Sequence, residues 1–153
     1  MTRALLSLFL VFGLLAGGVA SDSKAPDFDA ELAERLGADV YGMRLYTLAL
    51  LEPGDSQIAD PEQLASIQRG HLAHIRRMAD EGHLVLAGPL LDAPDLRGLF
   101  ILATDDLDEA RALVSLDPAV QAGRLTIRLE RWYGSAALPE LTNIHARIAR
   151  ENP

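Results

Sequence analysis

The stretch YGMRLYTLALL, residues 41 to 51, restricts the fold more than any other part of the chain. Successive side chains of a strand point to opposite faces of a sheet. Met43, Leu45, Ala49 and Leu51 then fall on one face, and Tyr46, Leu48 and Leu50 on the other. A strand that is apolar on both faces must be covered on both.

The segments around it say what can cover it. Residues 21 to 40 form a polar lead-in with one short helix, FDAELAERLG, closed by Gly37 as a C-terminal cap. After the turn-rich EPGDSQIAD, the run Asp60-Pro61-Glu62-Gln63 starts a helix, with Asp60 as N-cap, proline at N1 and glutamine at N3. The spacing carries this helix to about Glu81, where Gly82 stops it. HLVLAG (83–88) reads as a short strand broken by Pro89, LLDAPDLRG as a loop, and LFILA (99–103) as a buried strand. Asp106-Leu107-Asp108-Glu109 caps a second helix with apolar positions Leu107, Ala110, Leu113 and Val114. Asp117-Pro118 ends it, because proline disfavours helical geometry in the residue before it. LTIRLERWY (125–133) is the last strand.

Strand, helix, strand, strand, helix, strand is the ferredoxin-like split βαβ order. It implies an α+β fold, with one four-stranded antiparallel sheet and both helices on one face. Two helices cover one side only, so a homodimer through the opposite sheet face is expected to close the other. A length of 153 residues suits one such domain, placed here at 41–134. In the remaining tail, 135–153, Leu138, Leu141, Ile144 and Ile148 recur at helical spacing, for packing on the body or on a partner.

Residues 1 to 20 are a separate matter. Arg3 precedes an apolar run from Ala4 to Leu15, and small residues follow, with Gly18 and Ala20 at the −3 and −1 places of a cleavage site. This is the layout of a secretory signal peptide. The run is shorter than the roughly 20 residues of a spanning helix, which favours cleavage over a retained anchor. The expected location is periplasmic or secreted, with no membrane attachment after cleavage. There is no cysteine, hence neither a disulfide framework nor a thiolate metal site. The 22 acidic residues outnumber 14 basic ones, and removal of Arg3 with the leader takes the net charge from −8 to −9. Such a surface repels phosphate backbones, and no basic stripe interleaved with aromatics offsets it, so nucleic acid is not an expected partner.

One residue in the first helix breaks the pattern. On a wheel of about 100° per residue, Ile67, His71, Ile75 and Met78 share a side with Leu64, while His74 sits at the stripe's edge. Leucine at 71 would serve packing; an imidazole stands there. A lone histidine in an apolar stripe is more often a satisfied core residue than a catalyst.

The run His71…Gly82, then LAGP (86–89), Gly98, and a helix ending in Asp117-Pro118 with Gly123 resembles the YCII-related (YciI-like) domain, over about residues 41 to 133. The resemblance implies a dimeric α+β barrel, in which two ferredoxin-like sheets pack face to face. It also implies an active site built on a histidine–aspartate pair, carried by motif position onto His71, not His74, and onto Asp117.

An imidazole takes and returns protons near neutral pH, and a carboxylate can hold one ring nitrogen while the other faces a pocket. That equipment suits proton abstraction, isomerisation or elimination. Nucleophilic catalysis is disfavoured, since there is neither a cysteine nor a Gly-x-Ser-x-Gly elbow, and Ser66 and Ser115 lie in helix patterns. Asp117 also has a plain structural role as N-cap of PAVQAG, compatible with the first. His71 and His74 lack a third metal ligand. Arg97 and Arg128 are the candidates for meeting a small anionic metabolite, and Trp132 and Tyr133 for closing the core's end or a dimer seam. Two function classes stand: an exported, cofactor-independent lyase or isomerase acting on a small organic acid, and a non-catalytic small-molecule-binding or accessory module of the same fold. A catalytic His71 is expected to tolerate leucine without loss of stability; a structural one is not.

Overall fold

The computed structural model describes residues 27–151; the leader reading of residues 1–20 lies outside them. The elements run α1 (Ala30–Arg35), β1 (Met43–Pro53), α2 (Pro61–Asp80), β2 (Leu84–Pro89), β3 (Gly98–Leu102), α3 (Leu107–Ser115), α4 (Pro118–Gln121), β4 (Leu125–Ser135), a 3-10 turn (Leu138–Glu140) and α5 (Leu141–Ile148). The strands form one sheet in the order β2-β3-β1-β4, and each neighbouring pair is antiparallel. This is the ferredoxin-like α+β arrangement expected from the element order.

Local chemistry places each boundary. Asp29, Asp60, Asp106 and Asp117 are all N-caps whose side chains accept from backbone N–H groups of the following turn. Gly82 ends α2 at φ +78°, a conformation that disfavours any residue with a Cβ. β1 is central, as its two apolar faces require. Its odd positions, Ala49 and Leu51, join Met78, Leu84, Phe100, Leu102, Ala110 and Val114 in the main core under α2 and α3.

The opposite face carries a second cluster of Tyr46, Val85 and Ile101, flanked by Leu48, Leu99 and Leu138. Leu138 belongs to the C-terminal tail, so of the two surfaces open to that tail it takes the body's own, and it closes one end of the face for which a second copy was expected. Tyr46 is fully buried without a partner chain, and its hydroxyl donates to the Ser135 carbonyl at 2.9 Å. Val85, the residue after core Leu84, reaches this cluster by strand alternation. A register shift between Leu84 and Leu86 in β2 sets Leu86 opposite Ile101, where it is exposed. Trp132 and Tyr133 are partly exposed. Trp132 lies 5.9 Å from the Tyr46 ring, and the Tyr133 hydroxyl donates to Asp39 of the lead-in. Among the described residues no helix is long and apolar enough to cross a membrane.

Candidate active site

Two elements meet to make the site. Gly70 of α2 faces Pro118 of α4 so closely that a Cβ there would lie 2.9 Å from the proline Cγ. The missing side chain lets the helix pass against α4's first turn, and this sets His71 beside Asp117, the cap of that turn. His71 Nδ1 and Asp117 Oδ2 are 2.7 Å apart. The other carboxylate oxygen, Oδ1, accepts from the Ala119 N–H at 2.8 Å. Asp117 is 1% exposed, so capping and histidine contact together satisfy a carboxylate withdrawn from water.

The geometry assigns the imidazole's roles. A carboxylate accepts, so Nδ1–H donates, and in the neutral ring Nε2 keeps its lone pair. The ring stacks on Phe100 at 6.1 Å between centroids and 24° between planes. The side chain is 12% exposed, and it opens onto a cavity of about 720 Å³ between α2 and the sheet. Leu64, Ile67 and Ile75 line the helix side, and Phe100, Leu51 and Leu125 the sheet side. Arg97, Arg124 and Gln68 supply the cavity's other polar groups. A base on an apolar wall with a fixed tautomer is equipped to take a proton from a small bound molecule.

The helical wheel is corrected at His74. Expected at the stripe's edge, it is 4% exposed and, with Met78, the deepest residue of α2. Arg77 Nη2 donates to its Nδ1 at 2.8 Å, which puts the ring proton on Nε2. That atom is buried without a hydrogen bond of good geometry. Burial holds the His74 pKa below its ordinary value of 6.5, and the nearby Asp117 charge only partly offsets this. His74 is therefore the neutral core histidine, and His71 the one that reaches the cavity.

The two arginines separate. Arg97 lines the cavity, whereas Arg128 lies on the opposite sheet face, held by Glu52 at 3.0 Å and Glu130 at 2.7 Å. Arg124, which the amino-acid pattern did not single out, takes Arg128's expected place. Its signal was present: α4 is one turn long, so the chain leaving Gly123 returns beside Asp117. Among the described residues no group of three or more His, Asp or Glu side chains is placed to hold a metal.

Fold and site together define a ferredoxin-like α+β domain with a buried histidine–aspartate pair at the wall of a cavity. The YCII-related domain matches residues 45–132, more than half of the chain, which belongs to that family. Among solved structures, the chain is similar to the 5-chloro-2-hydroxyhydroquinone dehydrochlorinase TftG of Burkholderia phenoliruptrix AC1100 in complex with 2,5-dihydroxybenzoquinone. That likeness has 24% identity over 56% of this chain and 92% of the other, with a TM-score of 0.40. No curated protein matches the chain.

Proposed function

We propose that this YCII-family protein is an acid–base enzyme acting on a small organic acid, of the lyase or isomerase type, with His71 as the proton carrier and Asp117 as the residue that orients it. The observation that carries the reading is the 2.7 Å His71–Asp117 contact at the wall of a cavity of about 720 Å³. Asp117 fixes the tautomer and steadies the imidazolium that forms when Nε2 takes a proton. Returning that proton to a neighbouring atom completes an isomerisation; returning it to a leaving group completes an elimination. Neither step requires a redox change. A purely structural histidine would be packed on all sides, as His74 is; His71 instead faces an open space. Export through the N-terminal leader is part of the same reading.

Stability alone does not separate this function from the alternative, a binding module that uses the same cavity. Asp117 is buried, so His71→Leu strands its Oδ2 and costs about 1–3 kcal/mol whichever role the histidine has, contrary to the expectation from sequence. The separating experiment is a thermal-shift screen of small organic acids, followed by product analysis on the hits. His71→Asn should retain binding of a hit and lose its conversion by about 100-fold or more. Binding hits that are never turned over by the wild-type chain would leave the module as the correct reading.

A further inference from the structure

Arg97 and Arg124 come to the cavity from different loops, and the same strand end anchors both. The Arg97 N–H donates to the Leu51 carbonyl at 2.7 Å, and the Arg124 carbonyl accepts from the Gly54 N–H at 2.9 Å. Leu51 and Gly54 bracket the end of β1, so two guanidinium groups are tethered to the exit of the central strand. Arg124 is held again from its other side, its N–H donating to the Ala119 carbonyl at 2.9 Å in the turn that Asp117 caps. Both backbones are fixed, and both residues border the cavity with largely exposed side chains that a bound anion can reach.

Neither guanidinium has an ion pair or a side-chain hydrogen bond among the described residues, in a chain where acidic groups outnumber basic ones 22 to 14. Arg128, a few residues away in β4, shows the contrast, since Glu52 and Glu130 hold it on the other face. The rest of the cavity wall is mostly apolar, and an acid there would face only His71, Gln68 and the two arginines.

From this arrangement, and resting on the proposed function, we propose that Arg97 and Arg124 form a carboxylate clamp that orients an apolar-bodied organic acid with its reacting carbon toward His71. A guanidinium offers a planar fork that matches two carboxylate oxygens, and binding to it is charge-assisted. The clamp selects the anion, the apolar wall takes the body, and His71 remains free for proton transfer. Both arginines are positioning and specificity residues; neither transfers a proton.

The test uses benzoate as the probe and benzamide as its neutral isostere, titrated by calorimetry into the full chain. The wild-type chain should bind benzoate at least about tenfold more tightly than benzamide. Arg97→Gln and Arg124→Gln should each weaken benzoate by about tenfold or more and leave benzamide unchanged, and Arg97→Lys should recover part of the loss. Arg69→Gln, an exposed cation on α2 outside the cavity lining, should change neither. His71→Asn should keep the benzoate preference. Equal affinity for the two probes, or glutamine variants that bind benzoate as the wild type does, overturns the clamp. If His71→Asn alone abolishes the preference, an imidazolium is the anion site; the clamp then fails while the cavity remains the binding site. If neither probe perturbs the NMR signals of His71 at about 10 mM, the clamp and the cavity reading fail together.

Discussion

His71 and His74 stand one helical turn apart on α2 and do opposite things. The difference lies in what each ring nitrogen meets. Asp117 accepts the Nδ1–H of His71 and leaves the other nitrogen toward the cavity, whereas Arg77 donates to His74 Nδ1 and leaves Nε2–H inside the core. The capping role of Asp117 was legible because Asp-Pro before a short turn is a capping signal, whereas its pairing with His71 was implied only by the family resemblance. The wheel misjudged the histidines because it assumes that one uniform face is buried. The first half of α2 borders a cavity, whereas His74 and Met78 in the second half are buried, Met78 in the main core with Ala110 and Val114, so the buried side shifts along the helix. His74 makes a prediction of its own. Its folded pKa lies below its unfolded value of about 6.5, with burial the main cause, Asp117 partly opposing it, and Arg77 and His71 adding to it. The unfolded chain therefore binds more protons in the window from about pH 6.5 down to the folded pKa. The stability contributed by neutral His74 is fully present above that window and is lost as pH falls through it. His74→Leu should gain stability relative to the wild type as pH drops from about 7 to about 5. Urea midpoints for both proteins at a series of pH values read this directly, and a difference that stays constant with pH would refute it.

At the scale of elements, the boundaries were legible wherever a local signal writes them. The aspartate caps, Pro61 at the start of α2 and Gly82 at its end all act as their chemistry requires. What was not legible is the approach of α2 to α4, because it depends on a side chain that is absent. In the sequence Gly70 is an ordinary helix-weakening residue. In the fold it is the gap through which Pro118 comes near, and it determines the distance between His71 and Asp117. Alanine there would gain up to about 1 kcal/mol of helix propensity, but its Cβ would sit 2.9 Å from Pro118 Cγ and 3.2 Å from Cβ. Proline is a stiff ring and cannot step aside, so the helices must part, at an overpacking cost of about 1–3 kcal/mol. Gly70→Ala should therefore be destabilised by about 1 kcal/mol despite its better helix propensity. It should also weaken the His71–Asp117 hydrogen bond, seen as an upfield move of the His71 Nδ1 proton resonance. A Gly70→Ala chain that is more stable than the wild type, with that resonance unmoved, would show that the close approach does not hold the pair together.

For the whole molecule, the question is what covers the sheet face away from α2 and α3. The apolar alternation of β1 argued for a second copy, and the tail changes the terms of that argument without removing it. Leu138 and the 3-10 turn close the end near Tyr46, Val85 and Ile101, whereas Leu48 and Leu50 toward the other end of β1 stay only half-buried. On β4 this face carries Thr126, Arg128 and Glu130, so it is apolar along β1 and β3 and ionic along β4. A partner seated there would bury an apolar strip beside a charged one, the make-up of an interface with a greasy centre and a polar rim. At about 25 cal/mol per Å² of apolar surface, a standard interface of roughly 1,600 Å² outweighs the cost of association when its centre is well packed. The expected outcome is a homodimer at micromolar concentration, with light scattering giving twice the chain mass. Leu48→Glu places a charge on that strip, away from both the main core and the cavity. It should yield a folded monomer with the circular dichroism of the wild type. A wild-type chain that is monomeric at tens of micromolar would mean that the tail and the ion pairs of Arg128 are cover enough, and that the second face of β1 needs no partner.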